Sequence, residues 1–212
     1  MVDFVVTGLS ANSVPYVEAL ELQRATHHAV VDGLRPDTVM FLEHPSVFTA
    51  GKRTEAHERP TDGTPVIDVD RGGKITWHGP GQLVGYPILR LSEPIDVVGY
   101  VRRLEVLLID VLAELGIEGQ RVEGRSGVWI DSGPGSWDKI AAIGIRVAEG
   151  VTMHGFALNC SNGFEAYDAI VACGIRDAGV TSISRVLGRT VTTEDVVPIV
   201  ERAISEIFEA AA

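Results

Sequence analysis

The chain has 212 residues, of which 45% are hydrophobic, and this size fits one globular domain. Its formal net charge of −11 argues against broad nucleic-acid binding, which needs a basic face. No segment approaches the roughly 20 apolar residues of a membrane span, and the N-terminus lacks the basic region of a signal peptide. We therefore expect a cytoplasmic protein that binds neither nucleic acid nor membrane.

Apolar periodicity predicts the elements of the first half of the chain. A helix capped by Ser13 is expected to run to about Asp32, and a polar loop to follow His44 as far as Pro65. The dipeptide Gly72-Gly73 predicts a hairpin turn between the strands at 65–70 and 74–77. Alternating and β-branched residues predict strands at 2–7, 38–43, 65–70, 74–77 and 82–91.

The clearest helix begins after Asp96 and stops at Gly116, with apolar residues repeating at helical spacing between them. A final helix is predicted to start near Thr193, with Pro198 tolerated only if its first turn begins late, at about Asp195. Short helical segments are predicted at 167–173 and 182–187, and further strands at 121–122, 127–130, 139–147 and 151–158. Because several strands follow one another through short turns, we predict an α/β fold of the α+β type, with a mixed sheet flanked by helices.

The segment 71–83 combines four glycines with two cations, a histidine and a tryptophan. Glycine leaves the backbone N–H groups open to close approach by a ligand. The spacing matches neither a Walker motif nor GxGxxG, and the segment leads into a strand, so a phosphate loop is excluded. We predict a ligand wall of backbone donors; the alternative is that the glycines serve turns only.

Two cysteines are present, Cys160 and Cys173, and neither belongs to a disulfide framework or a CxxC zinc motif. Gly174 leaves the sulfur of Cys173 approachable, but a thiol needs a nearby cation to become a nucleophilic thiolate. Lys139 opens a strand of small residues, where a partly desolvated amine can act as a base or pair with a thiolate. A buried, inert thiol is the alternative for Cys173 and the expectation for Cys160. Spacing leaves open whether Lys139 meets Cys173.

The six histidines show no spacing typical of a metal site. We expect separate hydrogen-bonding side chains at His44, His78 and His154, and solvated ones at His27, His28 and His57. A local basic patch is a candidate contact for an acidic partner, although scattered surface charge is the alternative. The candidate patches are Lys52-Arg53, Arg102-Arg103, and Arg185 with Arg189.

Four segments in register resemble the signature of the lipoyl(octanoyl) transferases, namely 71–83, 139–144, 154–159 and 173–175. The resemblance extends over roughly residues 4–204. It implies the fold of the biotin and lipoate protein ligase catalytic domain, with residues 1–212 as a single domain.

The resemblance also implies a reaction. An octanoyl group would move from octanoyl-acyl carrier protein to a lysine of lipoyl domains, those of the E2 subunits of 2-oxo acid dehydrogenases and of the glycine cleavage H protein. Cys173 would hold the acyl group as a thioester, Lys139 would lower the pKa of that cysteine, and no cofactor or metal would be needed. The implied substrate-binding residues are Arg71, Gly72, Gly73, Lys74, Ile75, Thr76, Trp77, His78, Ala142, Ile143, Gly144, Gly155, Phe156 and Ala157.

The sequence departs from the family pattern at Ala172, where Pro is usual, and at Ala142, where Ser is common. Two alternatives stay open. An ATP-dependent lipoate or biotin ligase of the same fold would not need Cys173, and a non-catalytic module would bind the acyl chain without turnover. Chain-length preference, docking surfaces and oligomeric state are left open.

Overall fold

The computed structural model describes residues 2–61, 63–170 and 178–209. The helices are α1 (Tyr16–Val31), α2 (Val97–Glu114), α3 (Ile183–Leu187) and α4 (Thr193–Ile204). The strands are β1 (Asp3–Gly8), β2 (Thr38–Leu42), β3 (Val47–Ala50), β4 (Val66–Asp68), β5 (Thr76–His78), β6 (Gln82–Ile88), β7 (Gln120–Val122), β8 (Arg125–Gly133), β9 (Ser136–Ala148), β10 (Val151–Asn159) and β11 (Gly179–Val180).

The larger sheet has the order β1-β2-β6-β10-β9-β8-β7, with β11 added beside β9. β1 and β2 are parallel, as are β9 and β11, whereas the other pairs are antiparallel. A smaller sheet has the order β4-β3-β5. The predicted fold class, a mixed sheet with flanking helices, is therefore confirmed.

Strand alternation divides the core between the two faces of the larger sheet. On one face, Leu83 of β6 and Leu158 of β10 pack with α2 and α4. On the other face, Val84 and Ala157 pack with α1, which also contacts the smaller sheet. Val84 and Ala157 of this second face also line a cavity.

Helix α2 forms where the sequence predicts it. The Asp96 carboxylate caps its N-terminus by accepting a hydrogen bond of 2.8 Å from the Gly99 N–H, and Gly116 follows its end with φ of +79°. Its apolar face is buried at Tyr100, Leu104, Leu107, Leu108, Val111 and Leu112, and each buried leucine contributes about 1.5–3 kcal/mol. In the part of the chain that the structure describes, no helix is long and apolar enough to cross a membrane.

Four predictions about elements of the chain are wrong. The supposed polar loop after His44 contains β3, which lies between β4 and β5, so the dipeptide at 72–73 closes no hairpin. Ser13 does not cap α1, which begins after Pro15 without a side-chain cap. Helix α4 begins at Thr193, as predicted, because Thr192 and Asp195 form a capping box; the late first turn expected from Pro198 is wrong, since Pro198 lies inside the helix.

Candidate active site

A cavity of about 270 Å³ lies between the larger sheet and the glycine-rich segment. Twelve of the residues implied by the family resemblance line it: Arg71, Gly73, Lys74, Thr76, His78, Lys139, Ala142, Ile143, Gly144, Gly155, Phe156 and Ala157. The lining also includes residues that the sequence did not single out as pocket residues: Tyr16, Arg53, Val84, Tyr86, Gly124, Arg125, Ser126 and His154. Tyr16 begins α1 and Tyr86 lies on β6, so only the packing of these elements brings them here.

Small residues on two paired strands determine the shape of the cavity. Ala142 of β9 lies opposite Ala157 of β10, and Gly144 lies opposite Gly155. A Cβ on Gly144 would lie 3.0 Å from the Arg71 Cδ, so the glycine lets the 71–73 segment close over the sheet. The two alanines line the cavity without filling it with side-chain atoms.

The glycine-rich segment presents alternate residues to the cavity. Thr76 and His78 of β5 line it, whereas Ile75 and Trp77 point into a separate core cluster with Phe48. The indole N–H of Trp77 donates to the Ser46 Oγ at 2.9 Å. This alternation is the period of two expected for a strand.

The remaining residue of the implied substrate-binding set, Gly72, lies outside the cavity lining. Its N–H donates to the Ile145 carbonyl at 2.9 Å and fastens the segment to β9. At least one of the expected backbone donors therefore serves the fold rather than a ligand.

The two cations of the segment are bound within the protein. The buried Arg71 guanidinium donates to the carbonyls of Gly72, Lys74 and Thr49 at 2.9–3.0 Å, and also to the Thr49 hydroxyl. The Lys74 ammonium pairs with the carboxylate of Glu58, which is 1% exposed. Arg71 thus holds the shape of the wall at one side of the cavity.

His78 lines the cavity, and the ring of His44, which is not part of the lining, lies edge-on to that of His78 with the ring centroids 5.6 Å apart. The Nδ1–H of His44 donates to the Val14 carbonyl at 2.7 Å, so its Nε2 accepts from the Tyr86 hydroxyl at 2.7 Å. Burial lowers the pKa of His44 to about 4 and lowers that of His78 as well. His78 Nδ1 lies 2.8 Å from the Gln82 Oε1.

His154 joins the cavity wall through an ion-pair network. Its Nε2 lies 2.8 Å from an Asp70 carboxylate oxygen, and Asp70 also pairs with Arg146. Burial lowers the pKa of His154. Burial alone would raise the pKa of Asp70, but hydrogen bonding and the charges of His154 and Arg146 hold it below its usual range. The φ of +58° at His154 is a strained conformation for a residue with a Cβ.

His44, His78 and His154 each form hydrogen bonds, as expected, but His44 and His78 are not separate, because their rings are in contact. Among the described residues there is no group of three side chains that could hold a metal ion. The expectation that His27 is solvated is wrong. Its side chain is buried, with Nε2 lying 3.1 Å from the Ala148 carbonyl oxygen.

Lys139 reaches the cavity because of a β-bulge. Val128 pairs with Ala141 and Trp129 with Lys139, so β9 contains one extra residue, Ile140, at this point. Ile140 and Ala141 both enter the core, which leaves Lys139 on the same face as Ala142. Strict alternation would have placed Lys139 on the opposite face.

The Lys139 side chain is almost enclosed, with 9% of its surface exposed. Its Nζ lies 4.5 Å from the ring centroid of Trp129. Within residues 2–61, 63–170 and 178–209, no carboxylate forms an ion pair with it. A buried ammonium usually requires an anionic or polar partner.

A second cavity of about 20 Å³ adjoins the first and shares Lys139, Thr76, Ala142 and Ala157 with it. Tyr167 and Ala178, which also line it, lie on either side of residues 171–177 in the chain. Those seven residues lie outside the described residues. They include the predicted nucleophile Cys173, Ala172 and the end of the predicted 167–173 helical segment. Val180 of β11 pairs with Lys139.

Cys160 is a buried thiol, as predicted. It is fully enclosed in the core, and burial raises its pKa to about 12. A thiol in this environment stays protonated and inert at neutral pH.

The three basic patches have different surroundings. Arg53 lines the cavity. Arg102 pairs with Glu105 on α2, and Arg103 lies over the Phe208 ring, so both lie on the helical side of the sheet away from the cavity. Arg185 lies over the Phe164 ring.

The fold and the cavity agree with what comparisons with known proteins find. The family model described as "Lipoyl protein ligase A/B catalytic domain" matches residues 15–205. The chain belongs to this family, as the sequence motifs predicted.

Its relatives carry a more particular name. The chain is 73% identical over 203 residues to a protein of Clavibacter sepedonicus named octanoyltransferase, covering 94% of this chain and 88% of that protein. It is 66% identical to the octanoyltransferase of Leifsonia xyli subsp. xyli, covering 98% and 93% of the two chains.

Solved structures show the same fold at low sequence identity. A bipartite lipoate protein ligase from Thermoplasma acidophilum aligns with a TM-score of 0.74 at 16% identity, covering 99% of this chain and 85% of that one. A lipoate-protein ligase A bound with ATP aligns with a TM-score of 0.72 at 15% identity, covering 98% and 85%. At this identity the likeness concerns the fold alone.

Proposed function

We propose that this protein transfers an octanoyl group from octanoyl-acyl carrier protein to a lysine of lipoyl domains through a thioester on Cys173. Octanoyl transfer in the assembly of lipoate is the activity expected of a chain 58–73% identical to octanoyltransferases. The observation that supports this route most directly is the enclosed Lys139 ammonium between the two cavities, without a carboxylate partner among the described residues.

Lys139 fits the role of the cation that stabilises a thiolate. In a nearly enclosed site its charge is weakly screened, so it favours the anionic form of a neighbouring sulfur. Tyr167, four residues before the segment 171–177, and Ala178, directly after it, line the same small cavity as Lys139. We therefore propose that Cys173 and Lys139 act as a pair.

The transfer takes place in two steps. The Cys173 thiolate attacks the carbonyl carbon of the donor thioester; a C–S bond to Cys173 forms, the C–S bond to the carrier breaks, and the carrier thiolate takes up a proton. The neutral amine of the acceptor lysine then attacks the acyl-cysteine; a C–N bond forms, the amine loses a proton, and Cys173 leaves as the thiolate. The first exchange is nearly isoenergetic and the formation of the amide is downhill, so no ATP is needed.

The larger cavity suits the acyl chain. Ala142 and Ala157 line it with little side-chain volume, and Val84 and Phe156 add apolar surface. An octanoyl chain buried here gains about 0.8 kcal/mol for each methylene removed from water. We propose that the cavity residues named above hold the chain, and that residues 1–212 work as one catalytic domain.

The acceptors that we propose are lipoyl domains, those of the E2 subunits of 2-oxo acid dehydrogenases and of the glycine cleavage H protein. The chain belongs to a family of lipoyl protein ligase catalytic domains, which favours this class of acceptor. We further propose that the transfer occurs in the cytoplasm.

Intact-mass measurement tests the thioester. Incubation with octanoyl-acyl carrier protein in the absence of ATP is expected to add one octanoyl group to the wild-type protein and to Cys160→Ala, but none to Cys173→Ser. Addition of a lipoyl domain should then remove the label from the protein and place it on the acceptor lysine.

The alternatives give different results in the same assay. A ligase would transfer nothing without ATP and would stay active as Cys173→Ser. A non-catalytic binding module would leave the acceptor lysine unmodified in every mixture. Either result would replace the present proposal.

A further inference from the structure

The contact between Lys139 and Trp129 is a desolvated cation–π pair. The 4.5 Å separation of the Lys139 Nζ from the ring centroid is well inside the ~6 Å range of this attraction. The two residues are paired in the β8–β9 register, so the backbone itself brings them together. Trp129 is 1% exposed and Lys139 is 9% exposed, so water competes little with the ring for the ammonium.

The ring holds the ammonium without cancelling its charge. A carboxylate in the same place would form a neutral pair with Lys139, and the pair would do little to stabilise a nearby thiolate. The indole quadrupole attracts the cation but carries no net charge. Trp129 therefore supplies an attachment for the Lys139 side chain that leaves its full charge directed at the cavity.

Packing alone does not account for a tryptophan at this position. The indole Nε1–H of Trp129 is buried and forms no hydrogen bond with any described residue. An unpaired buried donor is unfavourable, and a phenylalanine would fill much of the same space without it. Tryptophan, however, is the aromatic side chain with the strongest attraction for a cation.

We propose that Trp129 is a positioning residue for Lys139, holding its charged ammonium where the two cavities meet. Trp129 acts through Lys139 and has no contact with the acyl group in this role. The inference rests on the proposed function, because its effect is read through the reactivity of Cys173. Arg125, whose guanidinium carbon lies 5.7 Å from the same ring centroid, must be separated from it in any test.

The test measures the pH dependence of Cys173 alkylation in two variants. Trp129→Leu removes the aromatic face, and Trp129→Phe keeps a weaker one that lacks the N–H. We expect alkylation near neutral pH to slow about tenfold in the leucine variant and less in the phenylalanine variant, with the pH profile moved to higher pH in the same order.

Three controls separate positioning from a structural role. Trp137→Leu alters a tryptophan of β9 that pairs with Asp131, and it is expected to keep the wild-type pH profile. In an Arg125→Gln background, Trp129→Leu should produce the same shift as in the wild type, because its effect does not pass through the second cation near the ring. In a Lys139→Ala background, Trp129→Leu should produce no further shift, because the residue acts through Lys139.

A second readout covers variants that fold poorly. Ring currents of Trp129 should move the Lys139 Hε signals upfield in the wild type, and Trp129→Phe should reduce that displacement. The proposal would be overturned by unchanged pH profiles in both Trp129 variants, or by a Trp129→Leu shift in the Lys139→Ala background equal to that in the wild-type background. In either case, octanoylation of Cys173 would still support the proposed function. Absence of octanoylation in the wild type would instead remove the proposed function itself.

Discussion

The buried imidazole of His44 makes the stability of the fold depend on pH. Burial lowers the pKa of His44 from 6.5 to about 4 in the folded protein. Above pH 6.5 the imidazole is neutral in both states and adds no pH dependence. As the pH falls from 6.5 towards 4, the unfolded chain binds a proton that the folded protein does not, so the free energy of unfolding decreases.

The size of this effect follows from the difference between the two pKa values. A difference of about 2.5 units corresponds to about 3 kcal/mol, lost across that pH range and constant below it. His78 and His154 also have lowered pKa values, so the wild-type protein should lose more than this in total. A variant that removes one histidine isolates its share of the loss.

His44→Gln is the suitable perturbation. A glutamine amide can still donate to the Val14 carbonyl and accept from the Tyr86 hydroxyl, but it does not titrate. Urea unfolding at about pH 7.5 and about pH 4.5 should show a smaller loss of stability in His44→Gln than in the wild type, by about 2.5 kcal/mol, because pH 4.5 is still above the pKa of the folded state. His57→Gln, at an exposed position, is the matched control and should behave as the wild type. Equal losses in His44→Gln and the wild type would refute the reasoning.

Three further substitutions have outcomes fixed by the geometry. Ala142→Leu places a branched side chain in the cavity, so octanoyl transfer should slow about tenfold or more while butyryl transfer changes less. An unchanged octanoyl-to-butyryl ratio of kcat/KM would show that the acyl chain binds elsewhere. Gly155→Ala would place a Cβ 2.2 Å from the Gly85 carbonyl oxygen, so urea unfolding should show a loss of about 1–3 kcal/mol. Arg102→Gln leaves the fully buried Glu105 carboxylate without its cation and should lower the free energy of unfolding in urea by about 1–2 kcal/mol. The KM of this variant for the acyl carrier should stay unchanged; an increased KM would show that the carrier docks on α2.

The sequence was enough to predict those elements that are stabilised by interactions within their own segment. Helix α2 has an apolar stripe, an Asp96 cap and a glycine stop within one segment, and each can be read without knowledge of the rest of the chain. Strand β3 was missed because it has four residues and depends on pairing with β4 and β5. The turn signal at 72–73 was misleading because Gly72 bonds to Ile145, more than seventy residues further along the chain.

The candidate site shows a similar division. The motifs gave the residues of β9, β10 and the glycine-rich segment, but not Tyr16 and Tyr86, which reach the cavity through the packing of α1 and β6. Nor does periodicity identify Trp129, whose proposed role depends on a cross-strand pairing with Lys139. Site residues that belong to one segment can be recognised in a sequence, whereas contacts between segments can be recognised only when the strand register is known.

The bulge at Ile140 makes the pairing of a single strand part of the geometry of the candidate active site. With every residue of β9 kept, a regular β8–β9 register would turn the ammonium of Lys139 towards the core, although no side chain of the site would have changed. Ile140 and Ala141 are both fully buried, so substitutions at either position should disturb the bulge as well as the core. In this strand, function is therefore expected to depend on where the extra residue is accommodated as well as on the identity of the side chains that line the cavity.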